Sequence, residues 1–413
     1  VAADPLQADA PERCDLAIVG GGIIGLAVAR EVIRRNPGAS ICVLEREAEL
    51  GAHQSAHNSG VLHAGIYYAP GSLKARLCVE GARELYRYCE QRGIEHRRCG
   101  KLIVAIAGSE LPRLRALHRR GAASGVQGLR WIGPAEIAAL EPHARGIAAL
   151  HSPTTGIVDF SAVTRAYAGD VLELGGAVVT GCGVEGVHLA GRALRLTHTR
   201  GSTEARHAIF CAGAWADRLA VAAGAERSPR IVPVRGAYLR VARESRHLVR
   251  SLIYPVPDPS LPFLGVHLTR HIGGELLIGP TAMIAAARDA YDARRIRGRD
   301  LMETLAWPGT WRMLARSWRS AAAELRLAAR PASLLRAAAR YVPELEGAEV
   351  RAAFAGVRAQ ALGRDGQLID DFVVSATPRS LHVRNAPSPA ATSSLALARH
   401  VADEAERAFG LRA

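Results

Sequence analysis

The chain has 413 residues, 49% hydrophobic and 22% charged, with 41 glycines, 21 prolines and no low-complexity tract. That composition excludes a disordered, collagen-like or disulfide-rich secreted protein and leaves room for two connected domains. The formal net charge is +14, but apart from Lys74 and Lys101 the basic residues are arginines spread along the chain beside alanines, which reads as a solvated basic surface rather than a nucleic-acid footprint.

Residues 15–20 form a short apolar run that enters a glycine cluster, and 23–35 then adopt helical spacing until Asn36-Pro37-Gly38 stops them. A second apolar run at 40–45 completes a βαβ unit, whose parallel strands imply an α/β fold with a Rossmann-like sheet covered on both faces. A polar, histidine-rich stretch at 51–72 follows, then a helix over 73–92, a strand at 101–106, a helix around 110–122 and loops at Pro142 and Pro153. Residues 176–191 and 192–198 alternate as strands, and 207–219 run from a buried strand into a second glycine turn and helix, a return to the first sheet. From Ile231 to Pro280 the pattern is strands broken by proline and glycine. Residues 299–342 read as helical, with Trp311, Leu314, Trp318, Ala322 and Leu325 at three- and four-residue steps and Arg312, Arg316 and Arg319 elsewhere. That row is expected to face the core, with a basic membrane-surface helix as the alternative. The chain closes with strands over 350–384 and a helix from about Pro389.

Seven cysteines without a C-x-x-C pair argue against a zinc site or a disulfide framework and fit a reducing compartment. The first 13 residues carry Asp4, Asp9 and Glu12 and no basic segment, unlike a signal or transit peptide. The longest apolar run, Leu16 to Ala29, is broken by glycines and too short to span a bilayer.

Gly20-Gly21-Gly22-Ile23-Ile24-Gly25 is a G-x-G-x-x-G between strand and helix. Gly20 permits the turn, Gly22 lets a pyrophosphate approach the backbone, Gly25 lets helix and strand pack closely, and the helix N-terminus offers N–H groups and a positive dipole. Glu45, ending the second strand, stands where an acid binds the adenosine ribose. NAD and FAD share this fingerprint. Gln54, Ser55, His57, Asn58 and Ser59 supply polar groups without an apolar period, as a cofactor-wrapping loop does. Ser388-Pro389 reads as a helix N-cap followed by proline, an N-terminus suited to the negative charge a reduced flavin develops.

The strings HNSGVLHAGIYY (57–68), TGIVDF (155–160), RIVPVRG (230–236), YPVPDPSLPFLGVHLT (254–269), GVRAQALGRDG (356–366) and NAPSPAATSS (385–394) resemble the D-amino acid oxidase-like FAD oxidoreductases, and within them the branch that acts on L-2-hydroxyglutarate. Ala237 and Thr281 depart from that branch, where an acidic or polar residue and an asparagine are usual. The resemblance implies a discontinuous FAD-binding domain (14–90, 151–230, 350–413) and a mixed-sheet substrate-binding domain (91–150, 231–349). It extends the FAD contacts to Ile23, Ile24, Arg46, Val184, Gly213, Trp215, Gly356, Arg358, Ser388, Ala390, Ala391 and Thr392. Non-covalent FAD is expected, because Arg358 stands where some covalent relatives carry cysteine.

The implied reaction is oxidation of L-2-hydroxyglutarate to 2-oxoglutarate by hydride transfer to flavin N5, with electrons passed to a quinone or another membrane carrier. A D-amino acid or another 2-hydroxy acid is the alternative substrate. Arg358 would anchor the carboxylate, since a guanidinium pairs bidentately with one. His267 or His63 would take the hydroxyl proton, since histidine titrates near neutrality. Tyr68, Tyr238 and Tyr254 are candidate hydrogen-bond partners, and Arg76 or Lys74 candidate cations for the second carboxylate. No metal and no nucleic acid are implied. The location expected is cytoplasmic, with peripheral attachment to the inner membrane as an option, mitochondrial in a eukaryote.

Overall fold

A computed structural model describes residues 9–259 and 264–410. Asp4, and residues 260–263 within the 254–269 string, lie outside them. The first apolar run is the strand Arg13–Val19, followed by the helix Ile23–Arg35 and the strand Ile41–Leu44. The helix ends where the Asn36 side chain turns back to donate to the Val32 carbonyl at 3.0 Å. Leu16 lies opposite Ile41 and Ala17 opposite Cys42 in a parallel pair, as a βαβ unit requires.

The first sheet runs in the order Val184–Ala190, Ala193–His198, Gly201–Phe210, Arg13–Val19, Ile41–Leu44, Ala177–Val179, with Ser380–Asn385 beside Gly201–Phe210 and Val373–Thr377 beyond it. Helix Ile23–Arg35 buries Leu26, Val28 and Val32 in one cluster with Val163 and Tyr167 and with Val401 of the last helix. Each such side chain contributes about 1.5–3 kcal/mol by leaving water, which fixes the glycine turn at the C-terminal end of a central strand.

The second sheet is mixed and carries the order Met283–Ile284, Arg230–Val241, Leu276–Gly279, His267–Arg270, Leu252–Pro255, Lys101–Ala105, Ala148–Ser152, Arg130–Ile132. A small third sheet, Val61–Leu62, Gly156–Val158 and His96–Arg97, ties the histidine-rich stretch to the body.

Four segments differ from the sequence reading. Val350–Leu362, grouped there with the nucleotide-binding segments, pairs instead along Arg230–Val241 in the second sheet, setting Arg358 opposite Val234 and Gly356 opposite Gly236. The last helix starts at Ser394, not Pro389; residues 388–393 form successive turns, and the Ser388 hydroxyl faces His63 Nε2 at 3.3 Å instead of capping a helix. The helical stretch breaks at prolines into Gly298–Ala306, Pro308–Ala329 and Pro331–Ala339, and its Trp311–Trp318–Leu325 row faces solvent rather than the core. Phe160–Glu173 is a helix that apolar spacing did not announce, and Asp159 caps it by accepting from Ser161 N at 2.8 Å. Among the described residues no helix is long and apolar enough to cross a membrane.

Candidate active site

A cavity of about 1610 Å³ runs from the glycine turn of the first sheet to the Arg358 region of the second. At the first end Gly20 holds φ +115°, a conformation that side-chain-bearing residues rarely adopt, and a Cβ there would strike the Cys211 carbonyl. A Cβ on Gly25 would strike the Gly20 carbonyl, so helix and turn touch backbone to backbone. Gly22 is different: only Ser55 Oγ, at 3.3 Å, stands near its absent Cβ, which leaves an approach to the backbone. Gly20, Gly22, Ile23 and Ile24 line the cavity, and Ser55 Oγ accepts from Ile23 N at 2.9 Å, so this hydroxyl sits at the helix N-terminus.

Glu45 also lines the cavity and is buried. Its Oε2 accepts from Gly21 N at 2.6 Å and its Oε1 from Glu47 N at 2.8 Å. Burial pushes its carboxyl above the usual range, against the pull of those two N–H groups. Beside it the Arg46 guanidinium lies 3.7 Å from the Trp215 ring centroid, and Val184 and Gly213 complete this wall. Acid, guanidinium, indole and open glycine backbone fit the adenosine and pyrophosphate of a dinucleotide.

The loop between the two ends is locked by its own polar groups. Asn58 Nδ2 donates to Gln54 O and Ser55 O at 3.1 and 2.7 Å, and its Oδ1 accepts from Gly60 N at 2.8 Å. Ser59 hydrogen-bonds Tyr238, and His57 stacks on Tyr291 at 4.1 Å. Gly356 packs so closely on the His57 carbonyl that no side chain fits between them. Gln54, Ser59 and His57 line the cavity, as do Ser388, Ala390, Ala391 and Thr392 opposite. Thr392 Oγ1 accepts from His63 N at 3.1 Å, which joins the two walls.

At the far end His267 is buried and stacks on Tyr254, with centroids 4.0 Å apart. Its Nδ1 lies 2.9 Å from the Gly265 carbonyl. A carbonyl only accepts, so Nδ1 carries the proton and Nε2 keeps its lone pair. Burial, reinforced by Lys101 and Arg358, lowers His267 to about 3, so the ring is neutral at physiological pH. His63 is held well below its ordinary value by burial and by Lys101, His267 and Lys74. Its Nδ1 is buried without a hydrogen-bond partner. Arg358, Tyr68, Tyr238 and Tyr254 line this end, and burial raises all three phenols.

Of the residues singled out by sequence, Gly25 sits behind the cavity wall, and Arg76 borders a separate depression with Glu80 and Arg83, which removes it as a substrate contact. Lys74 lines the cavity, but its Nζ is held by Asp370 Oδ1 and Asp370 O, both at 2.8 Å.

Sequence reasoning missed Tyr67 and Lys101. Tyr67 lines the cavity with its hydroxyl buried and without a partner. Lys101 is 1% exposed, and its ammonium sits 4.2 Å from the Tyr254 ring centroid and 5.2 Å from that of Tyr67. No carboxylate among the described residues pairs with it, and burial lowers it to about 7. The available signal was a lysine, in a chain that otherwise uses arginine, opening the wholly buried strand Lys101–Ala105.

Residues 15–404 match the family model described as FAD dependent oxidoreductase. The chain is 46% identical to "L-2-hydroxyglutarate dehydrogenase, mitochondrial" of Nematostella vectensis, over 97% of this chain and 92% of that protein. It is 43% identical to the Homo sapiens protein of the same name, covering 96% and 89%, and 42% identical to the L-2-hydroxyglutarate dehydrogenase of Escherichia coli, covering 95% and 93%. Its fold matches an L-alpha-glycerophosphate oxidase from Mycoplasma pneumoniae solved with FAD bound, with TM-score 0.77, 23% identity and coverage of 97% and 96%. It also matches glycine oxidase from Geobacillus kaustophilus, with TM-score 0.72, 22% identity and coverage of 96% and 95%.

Proposed function

This chain belongs to the FAD-dependent oxidoreductase family, and on that premise we propose that it oxidises L-2-hydroxyglutarate to 2-oxoglutarate and passes the electrons to a quinone or another membrane carrier. The observation that carries the reading is the convergence of Arg358 and a neutral His267 with an open Nε2 at one end of the cavity, backed by the buried Lys101 behind Tyr67 and Tyr254 of its wall. The likeness to L-2-hydroxyglutarate dehydrogenases over nearly the whole chain supports the substrate.

Bound FAD would supply the hydride acceptor, held by the 20–24 turn, Glu45, the 54–59 loop and the 388–392 turns. The chain does the rest. Arg358 clamps the carboxylate next to the reacting carbon, because its planar fork fixes orientation as well as charge. His267 Nε2 takes the hydroxyl proton as the C2 hydrogen leaves with its electron pair and the C=O bond forms. Gly265 holds the ring in the tautomer this needs. The substrate's two negative charges raise the basicity of a ring that is a weak base in the empty site. His63 and the hydroxyls of Tyr67 and Tyr68 flank the substrate. Lys101, behind Tyr67 and Tyr254, sets a positive potential for the second carboxylate, a strong effect in a wall that water does not screen.

FAD is held without a covalent bond. Cys211 borders the cavity at the glycine-turn end, against Gly20 and Gly25, far along the chain's wall from the reacting residues. A quinone acceptor places the enzyme at a membrane face, on the inner membrane in the mitochondrial setting of the eukaryotic relatives.

Turnover without oxygen tests the reading: L-2-hydroxyglutarate and a short-chain quinone should give 2-oxoglutarate and quinol in equal amounts. Product formed only with oxygen would replace the acceptor, and no 2-oxoglutarate with any acceptor would overturn the substrate.

A further inference from the structure

The helix Pro308–Ala329 presents a face that the cavity does not use. Trp311, Trp318 and Leu325 are 57%, 61% and 57% exposed. Ala315 and Ala322 fall between them at three- and four-residue steps; the helix kinks at Ser317, so Trp311 and Ala315 lie before the kink and Trp318, Ala322 and Leu325 follow one side of the segment after it. Met302 and Leu305 of the preceding helix, also exposed, extend the patch. Apolar surface of this kind on a protein otherwise rich in solvated arginine marks a place where water is to be displaced.

Charge narrows what displaces it. Arg312, Arg316, Arg319 and Arg326 are exposed on the same helix, and Arg319 leans over the Trp318 ring at 5.3 Å. The helix's one carboxylate, Glu324, is turned inward, its Oε2 accepting from Ala282 N at 2.9 Å. The outer face therefore combines indoles, leucine and arginines with no acid of its own. Indole rings favour the boundary between headgroups and acyl chains, and guanidinium groups pair with phosphate there.

We propose that this face seats on an anionic phospholipid surface, with Trp311, Trp318 and Leu325 entering the headgroup region and the four arginines pairing with lipid phosphates. The inward side of the same helix packs on the strand Met283–Ile284, and Glu324 feels the charge of Arg358, so the docked helix adjoins the substrate end of the cavity. The surface is independent of the reaction assigned above: its loss would leave the chemistry intact, and a different substrate would leave the surface intact.

Co-sedimentation of the FAD-loaded enzyme with vesicles tests it, comparing phosphatidylcholine alone with phosphatidylcholine containing phosphatidylglycerol. Binding should require phosphatidylglycerol and weaken with salt. Arg312→Gln, Arg316→Gln and Arg319→Gln together should weaken it about a hundredfold, and Trp318→Gln with Leu325→Gln should also release the protein. The flavin spectrum and turnover with a soluble acceptor should stay as in the parent. Equal binding by parent and variants, or none by the parent, would overturn the proposal. So would a dimer, seen by analytical ultracentrifugation, that the Trp318 and Leu325 substitutions dissociate, since the face would then belong to a second copy.

Discussion

The ammonium of Lys101 sits 4.2 Å from the centroid of the Tyr254 ring, and that ring stacks on His267 at 4.0 Å. A buried cation, an aromatic wall and the candidate base therefore stand in series. Cation–π contacts between desolvated groups contribute about 2 kcal/mol. They offset only part of the cost of burying an ammonium, which is why Lys101 falls to about 7.

That value gives a pH dependence. Below about 7 Lys101 is charged and attracts a dicarboxylate; above it the charge is lost. kcat/KM, which reports the free enzyme, should fall as pH rises through that value. Lys101→Met should remove this limb and lower kcat/KM for L-2-hydroxyglutarate about tenfold, chiefly through KM, the equivalent of about 1.4 kcal/mol. Unchanged KM with the alkaline limb intact would assign the second carboxylate elsewhere.

Arg358→Lys should raise KM and lower kcat together, about a hundredfold in kcat/KM, because a point charge on a flexible stem does not reproduce a two-bond clamp. Steady-state kinetics with the L-isomer checks this, and parental values would move the anchor.

For the base, His267→Gln should lower kcat by about 10²–10⁴ with little change in KM. His63→Gln should act less on kcat, since His63 Nε2 already faces Ser388. The reverse order of effects would exchange the two roles.

Stability rests partly on a buried ion cluster that takes no part in the proposed chemistry. Arg288, whose side chain is 2% exposed, pairs with Asp217 through both terminal guanidinium nitrogens, and Asp217 also accepts from Ile231 N at 3.1 Å. Burial raises the Asp217 carboxyl, but Arg288 and Arg230 outweigh it and hold the group below its ordinary value. Its contribution is therefore complete above the unfolded carboxylate range and is lost as pH falls through the lower folded value. Arg288→Met should cost about 3 kcal/mol by breaking a buried ion pair, with Arg230 left as Asp217's remaining cation, measurable by urea denaturation at neutral pH. A loss below 1 kcal/mol would show the cluster rearranging around the gap.

The βαβ unit and its glycine turn were legible because everything that defines them is local: an apolar run, three glycines with distinct steric duties, and Glu45 at the next strand's end. Many of the cavity-lining residues fall within the long motif strings. Lys101 did not, because a single charge in an apolar strand carries no periodic signal, and its importance comes from Tyr67 and Tyr254, which reach it only in the fold. The Trp311–Trp318–Leu325 spacing showed an amphipathic helix, but spacing does not say whether the apolar side meets protein or solvent. The pairing of Val350–Leu362 was not legible for a related reason: its partner, Arg230–Val241, is distant in sequence. Ser388-Pro389 has the residue types of a helix start, yet its hydroxyl serves His63 and the helix waits until Ser394.

Anaerobic reduction of the purified protein's flavin spectrum tests the central claim most directly, with L-2-hydroxyglutarate beside its D-isomer, L-lactate and D-amino acids. Fast bleaching by L-2-hydroxyglutarate, much slower or absent with the others, is the expected result. Bleaching by a D-amino acid in its place, or by none of these compounds, would contradict the assignment of Arg358, His267 and Lys101 to a 2-hydroxy dicarboxylate.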